Sequence, residues 1–202
     1  MKNNWEFSED LEDRRTNLVT TGYDNYCLQT LGGKEIELAQ ELNIIYKDHG
    51  AMALPFLRLT HKSEKGVRTT YQKVILPGYV FLFLPTGTHP SDIRPGGVGF
   101  HYVKNVDKKD LLLHGDDKKY AQWVFHNGGI IGMSKAIRLN GKVKITSGPL
   151  FNMVGYSKKN RNCRIVTTLF NRQISMWLPF EWVEEIPEEL AKEENTDSDT
   201  KE

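Results

Sequence analysis

The stretch Leu76-Pro77-Gly78-Tyr79-Val80-Phe81-Leu82-Phe83-Leu84 decides the fold of this 202-residue chain. Its Pro-Gly pair marks a turn, because proline lacks an amide hydrogen and glycine accepts turn conformations. The apolar run after the turn has the length of a buried strand. In such a strand Tyr79 and Phe81 share one face, while Val80 and Leu82 share the other. We expect one face to be core and the other an uncovered patch for a partner; the alternative is that both faces are core.

The sequence around this strand alternates between strand-like and helical patterns. A helix is predicted from Lys34 to Lys47, since apolar residues recur there at three- and four-residue spacing. The polar turn at 61–66 lies between two strand-like runs and predicts a hairpin. The remaining predicted elements are the strands Tyr23–Leu31, Leu54–Thr60 and Val67–Ile75 and the helix Asp116–His126. This order predicts an α+β sandwich.

The C-terminal part of the sequence has the pattern of strands alone, without a predicted helix. Val143 and Ile145 alternate with Lys142 and Lys144, which is typical of a strand with one solvated face. Two further strand-like runs flank Asn171-Arg172, which we interpret as a tight turn. Several short strands in fewer than about 50 residues favour a small closed barrel.

Five segments follow from these patterns. We expect a disordered acidic extension at 1–20, an α/β domain at 21–127, a linker at 128–140, a barrel at 141–186 and a disordered acidic tail at 187–202. The segment 1–20 has a net charge of −2 and the segment 184–202 one of −7, so that 21–183 carries +10. A basic body predicts a partner that is rich in phosphate or carboxylate groups.

The sequence argues against an enzyme. It has no phosphate-binding loop and no nucleophile elbow, and Gly96-Gly97-Val98-Gly99 lacks the third glycine of a dinucleotide fingerprint. Cys27 and Cys163 are interpreted as reduced, packed thiols, and the histidines occur singly. We therefore expect no cofactor and no metal. No run of about 18 apolar residues occurs and no signal peptide is recognisable, so we expect a cytoplasmic monomer without a membrane segment.

Two motifs together resemble the NusG family of transcription elongation factors. Leu76-Pro77-Gly78-Tyr79-Val80-Phe81 is similar to the "PGYV" strand of the NusG N-terminal (NGN) domain. The stretch from Val143 to Leu150, with Gly155 and Phe170-Asn171-Arg172, is similar to the family's KOW domain. The resemblance implies an NGN α/β sandwich followed by an SH3-like barrel. Asn25, where the family has Trp, and the short linker depart from the general members of the family. Ser147-Gly148-Pro149-Leu150 together with Ile131-Gly132-Met133-Ser134 resembles the LoaP group of specialised antiterminators.

The resemblance also implies partners. The first domain would bind RNA polymerase, with the β′ clamp helices contacting Leu76, Tyr79, Phe81, Leu28 and Val103. His89 and Ser91 match part of an element that touches the β gate loop, although Pro90 departs from it. An ordinary proline-containing turn is the alternative for His89-Pro90-Ser91.

The barrel is predicted to bind nascent RNA, including a hairpin. Loop cations beside an aromatic ring suit RNA, because unpaired bases stack while phosphates are neutralised. The alternative is a protein contact, since in relatives these loops meet a ribosomal protein or Rho. A general NusG and a ribosome-associated KOW protein are therefore the rival functions. The candidate RNA-binding residues are Lys142, Lys144, Tyr156, Lys158, Lys159, Arg161 and Arg164.

Overall fold

The computed structural model describes residues 4–64, 67–104, 110–132, 134–139, 142–147, 154–158, 162–170 and 172–185. The chain divides into two compact units. The first comprises Met1–Ile131 with Thr168–Arg172, and the second comprises Gly132–Thr167 with Gln173–Glu202. The predicted acidic tail at 187–202 lies outside the described residues.

The first unit is built on a four-stranded sheet. Its strands are β1 (Tyr23–Gln29), β2 (Met52–Pro55), β5 (Tyr79–Pro85) and β6 (His101–Tyr102), in the order β2-β5-β1-β6. All its pairs are antiparallel, and the register joins Cys27 to Phe81 and Gln29 to Tyr79. The strand predicted after Pro77 is thus confirmed as β5, at the centre of the sheet.

The second sheet of this unit carries the predicted hairpin. β3 (Leu57–Glu64) and β4 (Val67–Val74) pair antiparallel, and the short β7 (Ile130–Ile131) adds to β3 in parallel. The order β4-β3-β7 therefore leaves β4 at an edge.

Two predicted helices pack on these sheets. α2 (Glu35–Ile45) packs against β2 and β5 and buries Leu38, Ala39 and Leu42, whereas Ile45 of the predicted apolar stripe is half-exposed. α3 (Gly115–His126) packs its aromatic side on the sheets: Phe125 lies 4.9 Å from Phe83 between ring centroids. Both helices lie within two residues of their predicted ends.

The prediction of a disordered segment at 1–20 differs from the structure. Residues Glu9–Thr21 form α1, with Ser8 as its N-cap and three acids in its first turn. Leu11 and Leu18 are buried, and Trp5 is only 3% exposed. The segment is ordered because these apolar side chains pack against elements that are distant in the sequence. This tertiary packing outweighs the acidic composition of the segment.

The second unit contains most of a closed barrel of five strands. They are β8 (Ser134–Leu139), β9 (Lys142–Ser147), β10 (Val154–Lys158), β11 (Asn162–Leu169) and β12 (Arg172–Glu185), in the cyclic order β10-β11-β12-β8-β9. Val143 and Ile145 are buried while Lys142 is exposed, as the alternation in the sequence predicts. The fold is thus mixed α and β.

The predicted linker at 128–140 is largely structured. Ile131 is buried in β7, and β8 pairs with both β9 and β12. The strand signal of β8 was missed because Lys135 and Arg138 interrupt its apolar residues. Within the described ranges, no helix has the length and hydrophobicity needed to cross a membrane.

Candidate functional site

A hydrogen-bonded turn precedes β5 and positions Tyr79 at the start of the strand. The amide of Tyr79 donates to the carbonyl of Leu76 (3.4 Å), and Gly78 adopts a φ of 84° between them. Any side chain at Gly78 would be strained at this φ, and its Cβ would lie 3.2 Å from the Thr30 carbonyl oxygen. Tyr79 itself is half-buried. The turn therefore fixes the position of a partly accessible ring.

Glu35 anchors this turn from the start of α2. Its carboxylate is buried and accepts hydrogen bonds from the amide of Gly78 (2.6 Å) and from that of Gly33 (2.9 and 3.1 Å). A buried carboxylate is stable when charge-assisted hydrogen bonds satisfy it. Glu35 is one of two acids in the first turn of α2, and the sequence analysis did not identify its role in positioning Tyr79.

Three of the predicted polymerase-binding residues lie in the core. Leu28 and Phe81 are 0% exposed and Leu76 is 4% exposed. The expectation that one face of β5 is uncovered does not hold at these positions, because both faces of the strand are packed. Phe81 contacts Tyr120 of α3 on one face, and Val80 and Leu82 are buried on the other. These three residues can support a docking surface without forming it.

The accessible residues near the start of β5 form what we call the Tyr79 face, which comprises Tyr79, Gln29 and Asp117. Gln29 is the register partner of Tyr79 and lines a cleft of about 660 Å³. Leu31, which is 78% exposed, and Phe100 line the same cleft. An exposed leucine beside an apolar cleft is typical of a surface that another molecule covers.

The ring of Phe170 occupies part of the Tyr79 face. The two rings stack with centroids 5.5 Å apart and planes inclined by 24°. The amide of Phe170 donates to Asp117 Oδ1 at 2.9 Å. Sequence reasoning missed both contacts, since 53 residues separate Asp117 from Phe170.

His89 and Ser91 lie on an exposed, well-anchored loop. His89 Nδ1 lies 2.5 Å from Ser91 Oγ and accepts a hydrogen bond from the Ser91 amide (3.2 Å). The Tyr102 hydroxyl donates to the carbonyl of Pro90 (2.8 Å), which ties this loop to β6. Val103 is half-buried, and its amide donates to the carbonyl of Cys27. His89 and Ser91 are therefore available to a partner.

Three titratable groups of the first unit, Cys27, Tyr102 and Tyr120, have a pKa that is shifted in favour of the neutral form. Burial raises the pKa of the Cys27 thiol well above its usual range, with a further contribution from the charge of Asp117. Burial likewise raises the pKa of Tyr120 and of Tyr102. A protonated, enclosed thiol is a poor nucleophile. Among the described residues, no three His, Cys, Asp or Glu side chains are grouped to hold a metal ion.

The predicted RNA-binding residues of the barrel are partly described. Lys142 and Arg164 are exposed and Lys144 is half-buried. Tyr156 and Lys158 lie in β10, and Tyr156 has Lys142 and Arg164 as its register partners on the two neighbouring strands. Lys159 and Arg161 lie outside the described residues.

Comparison with known proteins finds similarity among solved structures. No protein-family model matches the chain, and no curated protein matches it. A solved structure described as "Domain interaction in Thermotoga maritima NusG" is similar over 78% of this chain and 93% of its own, with 14% identity and a TM-score of 0.43. At these values the likeness alone decides neither fold nor function.

Proposed function

We propose that this chain is a transcription elongation factor that binds RNA polymerase through the Tyr79 face. The observation that carries the proposal is that a turn fixed by a buried carboxylate holds Tyr79 half-buried, opposite the exposed Gln29 of β1. Aromatic anchors of this kind contribute much of the binding energy in protein interfaces. The sequence resemblance to the NusG family names the partner, with the β′ clamp helices at the Tyr79 face and Val103.

His89 and Ser91 provide a second contact, with the β gate loop. The Nδ1 atom of His89 already accepts the Ser91 amide, so Nε2 is the ring nitrogen left for a partner. A factor that binds both sides of the polymerase cleft favours the closed clamp over the open one. It thereby shifts the population away from paused states without any bond chemistry. The expected result is processive elongation, and the LoaP-like features favour action on a few operons.

The function is tested by transcription in vitro. Purified core polymerase transcribes a template with an intrinsic terminator, with and without the chain. We expect more read-through with the chain, and we expect a His89→Ala variant to lose part of the gain. Read-through that is unchanged at saturating concentrations of the chain would count against an antiterminator and leave a general NusG role in coupling to translation or Rho. Co-purification with ribosomes and without polymerase would favour the ribosome-associated alternative.

Nascent RNA is proposed as a ligand of the barrel. The row Lys142–Tyr156–Arg164 runs across three neighbouring strands, which puts an aromatic residue between two basic ones. In this arrangement a base would stack on Tyr156 while its flanking phosphates are neutralised.

The RNA proposal is tested by the salt dependence of binding. The full chain is titrated with a leader hairpin RNA at several salt concentrations. Lys142→Ala should weaken binding and lower the slope of log K against log salt by about 1, as expected when one phosphate contact is lost. Lys73→Ala, which removes an exposed lysine from β4, is the matched control. Equal slopes for the two variants would remove Lys142 from the RNA site.

A further inference from the structure

A groove lies between the N-terminal segment and α2, and it shares no lining residue with the Tyr79 face or with the cleft beside that face. Its volume of about 350 Å³ is at the lower end of the range for ligand sites in proteins. Trp5 and Leu11 are buried on one side of it, whereas Ile44 of α2 on the other side is 76% exposed. Exposed apolar surface beside a groove is typical of a site that a partner covers. We call this site, which Glu6 and Lys47 also line, the α1–α2 groove.

Hydrogen bonds and ion pairs hold the two walls of the α1–α2 groove together. The guanidinium of Arg14 donates to the carbonyls of Asn43 (3.0 Å) and Ala51 (2.9 Å), which ties α1 to α2. Arg14 also pairs with Asp10, and Lys47 pairs with the same carboxylate at 2.7 Å. Hydrogen bonds from Lys47 and Arg14 lower the pKa of Asp10, so that its carboxylate is ionised at neutral pH. The groove is therefore formed before a partner arrives, and binding does not have to order its walls.

The outer side of the N-terminal segment is acidic. Residues 4–13 contain five carboxylates and no lysine or arginine. The next two residues are arginines, but both are used within the fold, the first as described above and Arg15 by a hydrogen bond to the carbonyl of His126 (3.0 Å). The charge of Asp10 is neutralised by its two cations, whereas Glu6 is exposed and makes no ion pair within the described residues. Glu6 is thus the charge of the groove that is left for a partner.

The charge and the shape of the groove together select the kind of partner. Glu6, Glu9 and Asp13 are exposed carboxylates that repel phosphate groups, so neither RNA nor an anionic membrane fits this surface. Glu6 favours a lysine or arginine, and Ile44 on the opposite wall favours an aliphatic side chain. An extended peptide supplies both, because its successive side chains point to opposite sides.

We propose that the α1–α2 groove docks an extended basic peptide segment of another protein. An aliphatic side chain of this segment packs against Ile44, and a neighbouring lysine or arginine pairs with Glu6. The groove gives the chain an interaction surface in addition to the Tyr79 face. Since the two surfaces share no residue, this proposal does not depend on the function proposed above.

The docking is tested by amide NMR on the full-length chain with three capped peptides. The probe is acetyl-Lys-Leu-Lys-Leu-Lys-amide, and the two control peptides replace either its lysines with glutamates or its leucines with serines. We expect the probe to shift the amides of residues 4–14 and 40–47, with a dissociation constant at least about tenfold lower than that of either control peptide. Equal shifts for the three peptides, or a probe that shifts neither of these ranges at millimolar concentrations, would overturn the proposal.

Two matched pairs of variants locate the contacts of the probe. Ile44→Ser should weaken binding about tenfold, whereas Ile45→Ser should not, because Ile45 is a neighbouring exposed residue of α2 that does not line the groove. Glu6→Gln should weaken binding about threefold at low salt and less at high salt, whereas Glu9→Gln removes an exposed acid outside the groove lining and should bind nearly like the natural chain. All four side chains are exposed, so the variants should keep the urea midpoint of the natural chain. Equal affinities within either pair would overturn the proposal.

Discussion

Replacing Trp5 with alanine is expected to lower the free energy of unfolding by about 4 kcal/mol, in the range for large aromatic residues lost from a core. Trp5 joins the N-terminal segment to the rest of the first unit. Its indole Nε1 donates to the carbonyl of Gly128 (3.1 Å), and its backbone exchanges two hydrogen bonds with the side chain of Gln72 (2.8 and 2.7 Å). Urea denaturation followed by circular dichroism measures the loss.

Two variants control this result. Trp5→Phe keeps an aromatic ring but loses the indole donor, so its loss should be smaller, about 1–2 kcal/mol. Val19→Ala removes an exposed apolar residue from the same N-terminal segment and should change stability by less than about 0.5 kcal/mol. If Trp5→Ala unfolds at the same urea concentration as Val19→Ala, the N-terminal segment does not pack as described. The disorder predicted from the acidic composition of 1–20 would then be correct.

Replacing Glu35 with alanine is expected to cost about 3 kcal/mol, because the substitution removes a charged acceptor and leaves the buried amide of Gly78 without a partner. The loss should concentrate in the turn before β5, since the same carboxylate also holds Gly33. Hydrogen exchange should therefore become faster at the Gly78 and Tyr79 amides than elsewhere in the sheet. Chemical denaturation gives the global loss, and exchange locates it.

The matched control for Glu35 is Glu37, which lies in the same first turn of α2. Glu37 is half-exposed and pairs with Lys34 at 2.6 Å, so Glu37→Ala should cost less than about 1 kcal/mol. Glu35→Gln retains one oxygen acceptor and should fall between the two. Comparable losses for Glu35→Ala and Glu37→Ala would mean that the carboxylate of Glu35 does not anchor the turn.

The main elements of the first unit could be predicted because their signals are local. The Pro77-Gly78 pair, the three- and four-residue spacing in α2 and the apolar run of β5 each lie within a few residues of one another. The N-terminal helix could not be found from composition, since Leu11 and Leu18 are buried by elements far along the chain. Ser8 followed by acids at Glu9 and Asp10 was a usable signal, because this is the preferred start of a helix.

The site was predicted only in part, for a similar reason. An aromatic strand looks the same in sequence whether one face or both are covered, and here α3 covers the face with Phe81. Tyr79, at the first position of the strand, remains partly accessible, whereas Phe81 and Phe83 on the same face are buried. The contacts of Glu35, Asp117 and Phe170 join residues that are far apart in the sequence. Periodicity within a short stretch of sequence cannot reveal such contacts.

The central claim is that the Tyr79 face binds RNA polymerase, and equilibrium binding to the core enzyme tests it most directly. The chain, labelled at an engineered surface cysteine away from this face, is titrated with core polymerase and followed by fluorescence anisotropy. We expect saturable binding of the natural chain and binding that is weaker by at least about tenfold for Tyr79→Ala. Binding that is unaffected by Tyr79→Ala, or no binding at all, would contradict the account.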